Sequence, residues 1–144
     1  MKITKIFNFE AGHRLSHYAG KCFYLHGHSY KLEVTVAGVL NKLGMIIDFG
    51  VLKDIVNKIL DKNFDHKMIM KKDDLANQAV VKAFIPSGDN FDVGYGFYLV
   101  DYNPTAENIG LDLFNKIKAD LKDGVILSKI VLYETETSYA EITK

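Results

Sequence analysis

The run His26-Gly27-His28-Ser29-Tyr30-Lys31-Leu32-Glu33-Val34-Thr35-Val36 alternates residue by residue. Tyr30, Leu32, Val34 and Val36 share one parity, and Lys31, Glu33 and Thr35 take the other. That period of two is the signature of a strand with one buried face, and it predicts a strand over about 28–40. The apolar parity runs back through His28 and His26, so two imidazoles stand at the end of the core-facing side. A second alternating run, Phe7-x-Phe9-x-Ala11-x-His13, lies just upstream in an expected strand over 2–11, with Ile3 on the same parity. Four of the five histidines fall within sixteen positions, and three of them, His13, His26 and His28, lie on two segments whose pairing would bring them to one end of a sheet. Three neutral imidazole nitrogens around an open fourth position are the donor set of a catalytic zinc site. Gly27, between two of the ligands, is expected to leave room for the metal or for what binds it. The plainer alternative stays open on spacing alone, because alternation places many same-face H-x-H pairs on strands.

The rest of the chain extends that core. Residues 12–25 read as a loop carrying Cys22, and Asn41 to Gly44 as a turn. Asp48 can cap a helix over 49–62, whose apolar stripe is Phe49, Leu52, Ile55, Val56, Ile59 and Leu60. Asp65-His66 follow its end. The 67–103 segment is less regular: Asp73-Asp74 and Pro86-Ser87-Gly88-Asp89 mark turns, and Phe91 to Asp101 reads as one arm of a hairpin. Pro104-Thr105 opens a second helix, with Thr105 as cap and Glu107 in its first turn. Ile109, Leu113, Phe114, Ile117 and Leu121 repeat at helical spacing until Asp123-Gly124. Two strands, about 126–134 and 138–143, close the chain. The expectation is an α+β fold in the order ββααββ. It has an antiparallel four-stranded sheet, two helices on one face, and an inserted hairpin-like segment within a single domain spanning 1–144.

Composition narrows the partners. Lysine plus arginine equals aspartate plus glutamate, so the formal net charge is zero. Neither a nucleic-acid footprint nor an anionic membrane surface is indicated. Arg14 is the only arginine, beside a proposed ligand, where it suits either an anionic partner or a structural ion pair. One cysteine allows no internal disulfide and fits a reducing compartment, so the protein is expected to be cytoplasmic. No apolar run is long enough to span a bilayer.

Further motifs continue in order along the chain. Phe9-x-Ala11-x-His13-Arg14-Leu15 and Cys22-x-x-x-His26-Gly27-His28-Ser29-Tyr30 are followed by Ile46-Ile47-Asp48-Phe49, Asp65-His66, Pro104-Thr105-Ala106-Glu107-Asn108 and Glu134-Thr135. Together they resemble the 6-pyruvoyltetrahydropterin synthase / 6-carboxytetrahydropterin synthase family across nearly the whole chain. The resemblance implies a tunnelling fold, a zinc ion held by His13, His26 and His28, and a homo-oligomer, a hexamer, with active sites between subunits. It also implies a dihydropterin substrate, held by its hydroxylated side chain at the metal.

Cys22 takes the place of the family's proton-moving cysteine; taken alone, a lone cysteine also suits a small buried hydrophobe. Asp65-His66 resemble the second acid/base group, whereas without the resemblance a histidine at a helix C-terminus is accounted for by the dipole. Glu134 stands on the parity of Ile130 and Leu132, where a carboxylate needs a partner. The resemblance makes that partner the pterin's N3–H and 2-amino group, with Thr135, Thr105 and Glu107 as further candidates. The four-position gap from Cys22 to His26 looks like the carboxy-forming branch. That branch converts 7,8-dihydroneopterin triphosphate to 6-carboxytetrahydropterin, acetaldehyde and triphosphate for queuosine synthesis, a carbon–carbon lyase reaction. The alternatives are the pyruvoyl-forming branch, a non-catalytic zinc-binding protein, and a zinc-hydroxide hydrolase that leaves Cys22 and Glu134 without a task.

Overall fold

The computed structural model describes residues 1–84 and 96–143. The two alternating runs form long paired strands, β1 (Lys2–Arg14) and β2 (His26–Gly38), antiparallel, with Phe9 opposite Tyr30, Ala11 opposite His28 and His13 opposite His26. After β2 come α1 (Phe49–Asn63), β3 (Lys67–Lys71), α2 (Leu75–Phe84), β4 (Phe97–Val100), α3 (Ala106–Asp120), β5 (Val125–Tyr133) and β6 (Tyr139–Thr143). The expected four strands are present in the order β1-β2-β5-β6, but the sheet has six, ordered β4-β3-β1-β2-β5-β6.

The 67–103 segment is therefore not a hairpin. β3 runs parallel to β1 and β4 parallel to β3, so α2 is the crossover of a βαβ unit and the sheet is mixed. The turn expected at Pro86 to Asp89 and the first part of the hairpin arm from Phe91 lie outside the described residues. Two clusters of apolar side chains show which helix covers which face. Phe7, Phe9, Tyr30, Leu32, Val34, Ile69, Ile130 and Leu132 pack with Leu52, Val56, Ile59 and Leu60 of α1 and Ile109, Leu113, Phe114 and Ile117 of α3. Met70 and Phe97, on the opposite pleat, pack instead with Val81 of α2. Two helices share the front face as expected, while the third covers the back of the added strands.

Local chemistry explains the boundaries. The Asp48 carboxylate accepts from Gly50 N at 2.6 Å, and the Thr105 hydroxyl accepts from Asn108 N at 3.3 Å, each capping its helix. Phe49, expected in the buried stripe of α1, is half exposed, and Phe64 just beyond the helix is fully buried in its stead. Gly110 lets α3 lie close on the sheet, since a Cβ there would come within 2.4 Å of Ile142 Cδ1. Among the described residues no helix is long and apolar enough to cross a membrane.

Candidate metal centre and active site

The β1–β2 register delivers the three imidazoles as the parity argument requires. His13 and His26 are direct cross-strand partners, His28 lies two residues along, and all three point to the front face at the open end of the core. One ligand nitrogen from each lies within 4.8 Å of the others, so the group could hold a metal ion. The hydrogen bonds test that fit. His13 Nδ1 is 2.7 Å from the Pro104 carbonyl, and His26 Nδ1 is 2.8 Å from the Tyr24 carbonyl. A carbonyl can only accept, so both Nδ1 atoms carry the proton and both Nε2 atoms present lone pairs. Those two Nε2 atoms are 3.0 Å apart, a contact that is unfavourable unless a cation lies between them. Tetrahedral zinc at about 2.0–2.1 Å from each nitrogen would hold them about 3.3 Å apart. His28 Nε2 is buried without a hydrogen-bond partner among the described residues. Burial lowers the pKa of His13 and His28, outweighing the opposing pull of Glu134, which favours the neutral form a metal needs.

The Glu134 carboxylate faces the same group, Oε1 being 3.5 Å from His13 Nε2 and 3.8 Å from His28 Nε2. A cavity of about 260 Å³ opens in front of it, lined by His13, Leu15, Tyr18, Cys22, Thr105, Ala106, Glu107, Glu134, Ser138, Tyr139 and Ala140. Cys22 sits on a short 3₁₀ turn, Lys21–Phe23, whose backbone is tied to the strand end by Leu15 N donating to Cys22 O at 2.8 Å. Tyr30 floors the site: its ring stacks on Phe9 with centroids 5.0 Å apart and meets His28 edge-on at 5.6 Å. Its hydroxyl is buried without a partner among the described residues. Burial pushes its pKa up, and Glu134 and Cys22 add to the rise.

Not every candidate from the sequence joins this group. Thr105 lines the front cavity with its hydroxyl engaged as a helix cap, whereas Thr135 does not line it and belongs to the β5–β6 turn, where its hydroxyl accepts from Thr137 N at 3.4 Å. His66, though not Asp65, lines a different cavity, of about 440 Å³, with Ala11 and His28 and, on the other pleat, Glu10, Gly12, Gly27 and Ser29. Those four occupy the parity opposite to the core-facing residues of β1 and β2, so this cavity opens on the back of the sheet. The pair is well formed there. His66 Nδ1 lies 2.9 Å from Asp65 Oδ2, and Asp65 Oδ1 accepts from Glu10 N at 2.9 Å. Burial works to raise the Asp65 pKa but is outweighed by these bonds, which hold it below the usual carboxylate range. His66 has φ of 56°, a conformation uncommon for a side-chain-bearing residue and concentrated at functional sites.

Gly27 proves to have a different reason from the one expected. A Cβ there would point away from the histidines and meet the Ala11 carbonyl oxygen at 2.9 Å, so it is the strand backbone that it would crowd. The carbonyls of Pro104 and Tyr24, which set the histidine tautomers, left no mark in the sequence, because a backbone acceptor is the same whatever residue carries it.

Known proteins match this chain along its full length. The family model described as 6-pyruvoyl tetrahydropterin synthase matches residues 2–144. A protein of Rickettsia typhi named 6-carboxy-5,6,7,8-tetrahydropterin synthase is 39% identical over 145 residues, covering 99% of each chain. Among solved structures, an uncharacterised protein of Wolinella succinogenes superposes with a TM-score of 0.82 at 24% identity, covering 100% of this chain and 98% of that one. The 6-pyruvoyl tetrahydropterin synthase of Caenorhabditis elegans does so with a TM-score of 0.70 at 22% identity, covering 100% and 95%.

Proposed function

The chain belongs to the 6-pyruvoyl tetrahydropterin synthase family, and from that premise we propose that it is a zinc-dependent 6-carboxytetrahydropterin synthase acting on 7,8-dihydroneopterin triphosphate. The observation that carries the reading is one cavity lined by a thiol, Cys22, a carboxylate, Glu134, and His13, itself one of three imidazoles whose ligand nitrogens lie within 4.8 Å of one another. The carboxy-forming branch is supported by the Rickettsia relative's name and by the four-position gap from Cys22 to His26.

His13, His26 and His28 would hold the zinc, which when bound supplies Lewis acidity to hydroxyls of the substrate side chain. Glu134 accepts two parallel hydrogen bonds from the pterin's N3–H and 2-amino group, fixing the ring against the cavity wall. Cys22 moves a proton at the side-chain carbon next to the ring. The Asp65 carboxylate orients His66, whose other ring nitrogen exchanges a proton with the substrate.

His66 opens on the back of its own sheet, so the reading requires a second copy of the chain to bring its Asp65-His66 pair to the first copy's Cys22. That arrangement fits a homo-oligomer, a hexamer, whose subunits join along the edge strands β4 and β6 and so cover their unpaired backbone groups. The 440 Å³ cavity around His66 supplies the receiving surface. Queuosine synthesis in the cytoplasm is the setting that this product suits.

Product analysis tests the proposal. Supplied with 7,8-dihydroneopterin triphosphate, the zinc-loaded protein releases acetaldehyde in proportion to triphosphate, read by a coupled alcohol dehydrogenase assay. Triphosphate without acetaldehyde, with a pyruvoyl pterin by mass, would transfer the chain to the pyruvoyl-forming branch. No turnover with zinc bound would remove both.

A further inference from the structure

Arg14 follows a metal ligand in β1, yet its side chain takes no part in the front cavity. It lies on the opposite pleat, against the added βαβ unit, and is buried. Its Nη1 donates to Asn77 Oδ1 at 2.7 Å and lies 3.1 Å from Asp74 Oδ1. Asp74 in turn accepts from Asn77 N at 3.0 Å, so one carboxylate both caps α2 and pairs with the guanidinium. Asn77 Nδ2 donates to the Lys71 carbonyl at 2.9 Å and reaches the Ser16 hydroxyl at 3.4 Å. A charge this well held in a fixed plane is more than a strand end needs.

The guanidinium plane carries one further contact. Its carbon lies 4.4 Å from the centroid of the Phe23 ring, the distance of a stacked cation–π pair. Phe23 is the residue after Cys22 on the short 3₁₀ turn. It also meets Tyr24 edge-on at 5.7 Å, and the Tyr24 carbonyl orients His26. The turn is also tied through the residue that follows β1, Leu15, whose N donates to Cys22 O at 2.8 Å.

We infer that Arg14 is a positioning residue for Cys22: clamped by Asp74 and Asn77 of the added βαβ unit, it presents a flat cation on which Phe23 stacks, fixing the turn that carries the thiol. Asp74 and Asn77, at the start of α2, thereby acquire a role at the active site without lining the front cavity. Lysine cannot take over, because a point ammonium offers neither the fork for Asp74 and Asn77 nor the plane for Phe23. The inference rests on Cys22 being the proton-moving group, but the geometry of the clamp is independent of which pterin is the substrate.

The test is a set of Phe23 variants in the zinc-loaded full-length protein, with two separate readouts. Alkylation of Cys22 by iodoacetamide reports the pose of the thiol without turnover, and kcat and KM report its use. Phe23→Leu keeps an apolar side chain but loses the aromatic face. Its Cys22 should alkylate about two- to fivefold faster, the factor that a cation–π contact at a partly exposed site commands. Its kcat should fall by a similar factor with KM unchanged, and Phe23→Tyr should restore both. In a double-mutant cycle Arg14→Lys and Phe23→Leu should give no more together than either alone, the mark of a shared contact.

Leucine serving as well as phenylalanine in alkylation, or additive effects of the two changes, would overturn the inference. Should Arg14→Lys fail to fold, the Phe23 series decides alone, since that ring is partly exposed on a surface turn. Should the protein turn over no pterin, alkylation still decides the clamp, and only the proposed activity falls.

Discussion

Gly12 and Gly27 face each other across the β1–β2 ladder, one pair along from His13 and His26, yet the same substitution at each should have different consequences. An alanine Cβ at Gly27 would lie 2.9 Å from the Ala11 carbonyl oxygen and 3.3 Å from Gly12 Cα. Both obstacles are backbone in a paired strand, so relief to an ordinary contact at about 3.4 Å requires the strands to part by roughly half an ångström. At Gly12 the nearest obstacles are Met68 Cε at 2.5 Å and Sδ at 2.8 Å, the far end of a flexible side chain that can swing aside, and the one backbone obstacle, the His26 carbonyl oxygen at 3.1 Å, is farther than that at Gly27. Gly27→Ala should therefore destabilise the zinc-free protein by about 1–3 kcal/mol, the usual cost of overpacking. Gly12→Ala should lie within about 1 kcal/mol of wild type, because the stiffer unfolded chain offsets part of the strain. Parting the strands also separates His13 from His26, so Gly27→Ala should weaken zinc binding about tenfold or more, as misoriented ligands do. Urea denaturation in chelator and zinc competition against a chromophoric chelator measure the two effects. Equal stability losses at the two glycines, or Gly27→Ala with wild-type zinc affinity, would refute the assignment of the clash to the backbone.

Replacing His26 by Ala should leave two imidazoles and drop copurifying zinc well below one ion per chain, measured by atomic emission. Stoichiometric zinc in that variant would remove His26 from the ligand set. Glu134→Gln and Cys22→Ala should separate binding from chemistry. The first should weaken a pterin analogue by about 1.5–3 kcal/mol in calorimetry with zinc retained, and the second should leave that affinity intact while slowing turnover about 10²–10⁴-fold. Acid should expose the Arg14 clamp. Burial works to raise the Asp74 pKa, but bonds from Asn77, Ser16 and Arg14 prevail and pull it down to about 2. A carboxylate with its pKa lowered in the folded state stabilises above its unfolded value near 4, and that contribution is lost as pH falls from about 4 toward 2. Wild type should lose about 2 kcal/mol more than Asp74→Asn over that range. Parallel pH profiles would dissociate Asp74 from the acid response.

What the sequence made legible was what depends on neighbours within one segment. Strict alternation in Tyr30-x-Leu32-x-Val34-x-Val36 set the strand, its inner face and the side on which His26 and His28 emerge. Asp48 and Thr105 marked helix starts because capping is a contact over two or three residues. The βαβ unit was not legible for the same reason. Lys67–Lys71 has too few residues to display a period, and only Val81 of α2 joins the small cluster behind the sheet as a buried apolar anchor. Its parallel partner, β1, is more than fifty residues away, and nothing local distinguishes a strand that will pair in parallel from a hairpin arm.

The site divides along the same line, and the division bears on mechanism. Parity assigned the three histidines and Glu134 to one face, and the fold keeps them there: Glu134 Oε1 is 3.5 Å from His13 Nε2 and 3.8 Å from His28 Nε2, and the three ligating nitrogens lie within 4.8 Å of one another. Asp65 and His66 follow α1 and enter beside Glu10, whose side chain belongs to the other parity; no pattern in the sequence reveals that, because the parity of β1 governs a residue it meets only through tertiary contact. A sheet has two faces, and a proton donor on one cannot serve a thiol on the other through a closed ladder of strands. Either the two clusters work separately, or the front of one chain meets the back of the next. The second alternative gives His66, with its uncommon backbone conformation and its carboxylate partner, a substrate to act on. It also gives both edges of the sheet a neighbour. On that reading the oligomer is the active site's missing wall, and the clamp from α2 through Arg14 to Phe23 holds Cys22 at the rim where the wall arrives.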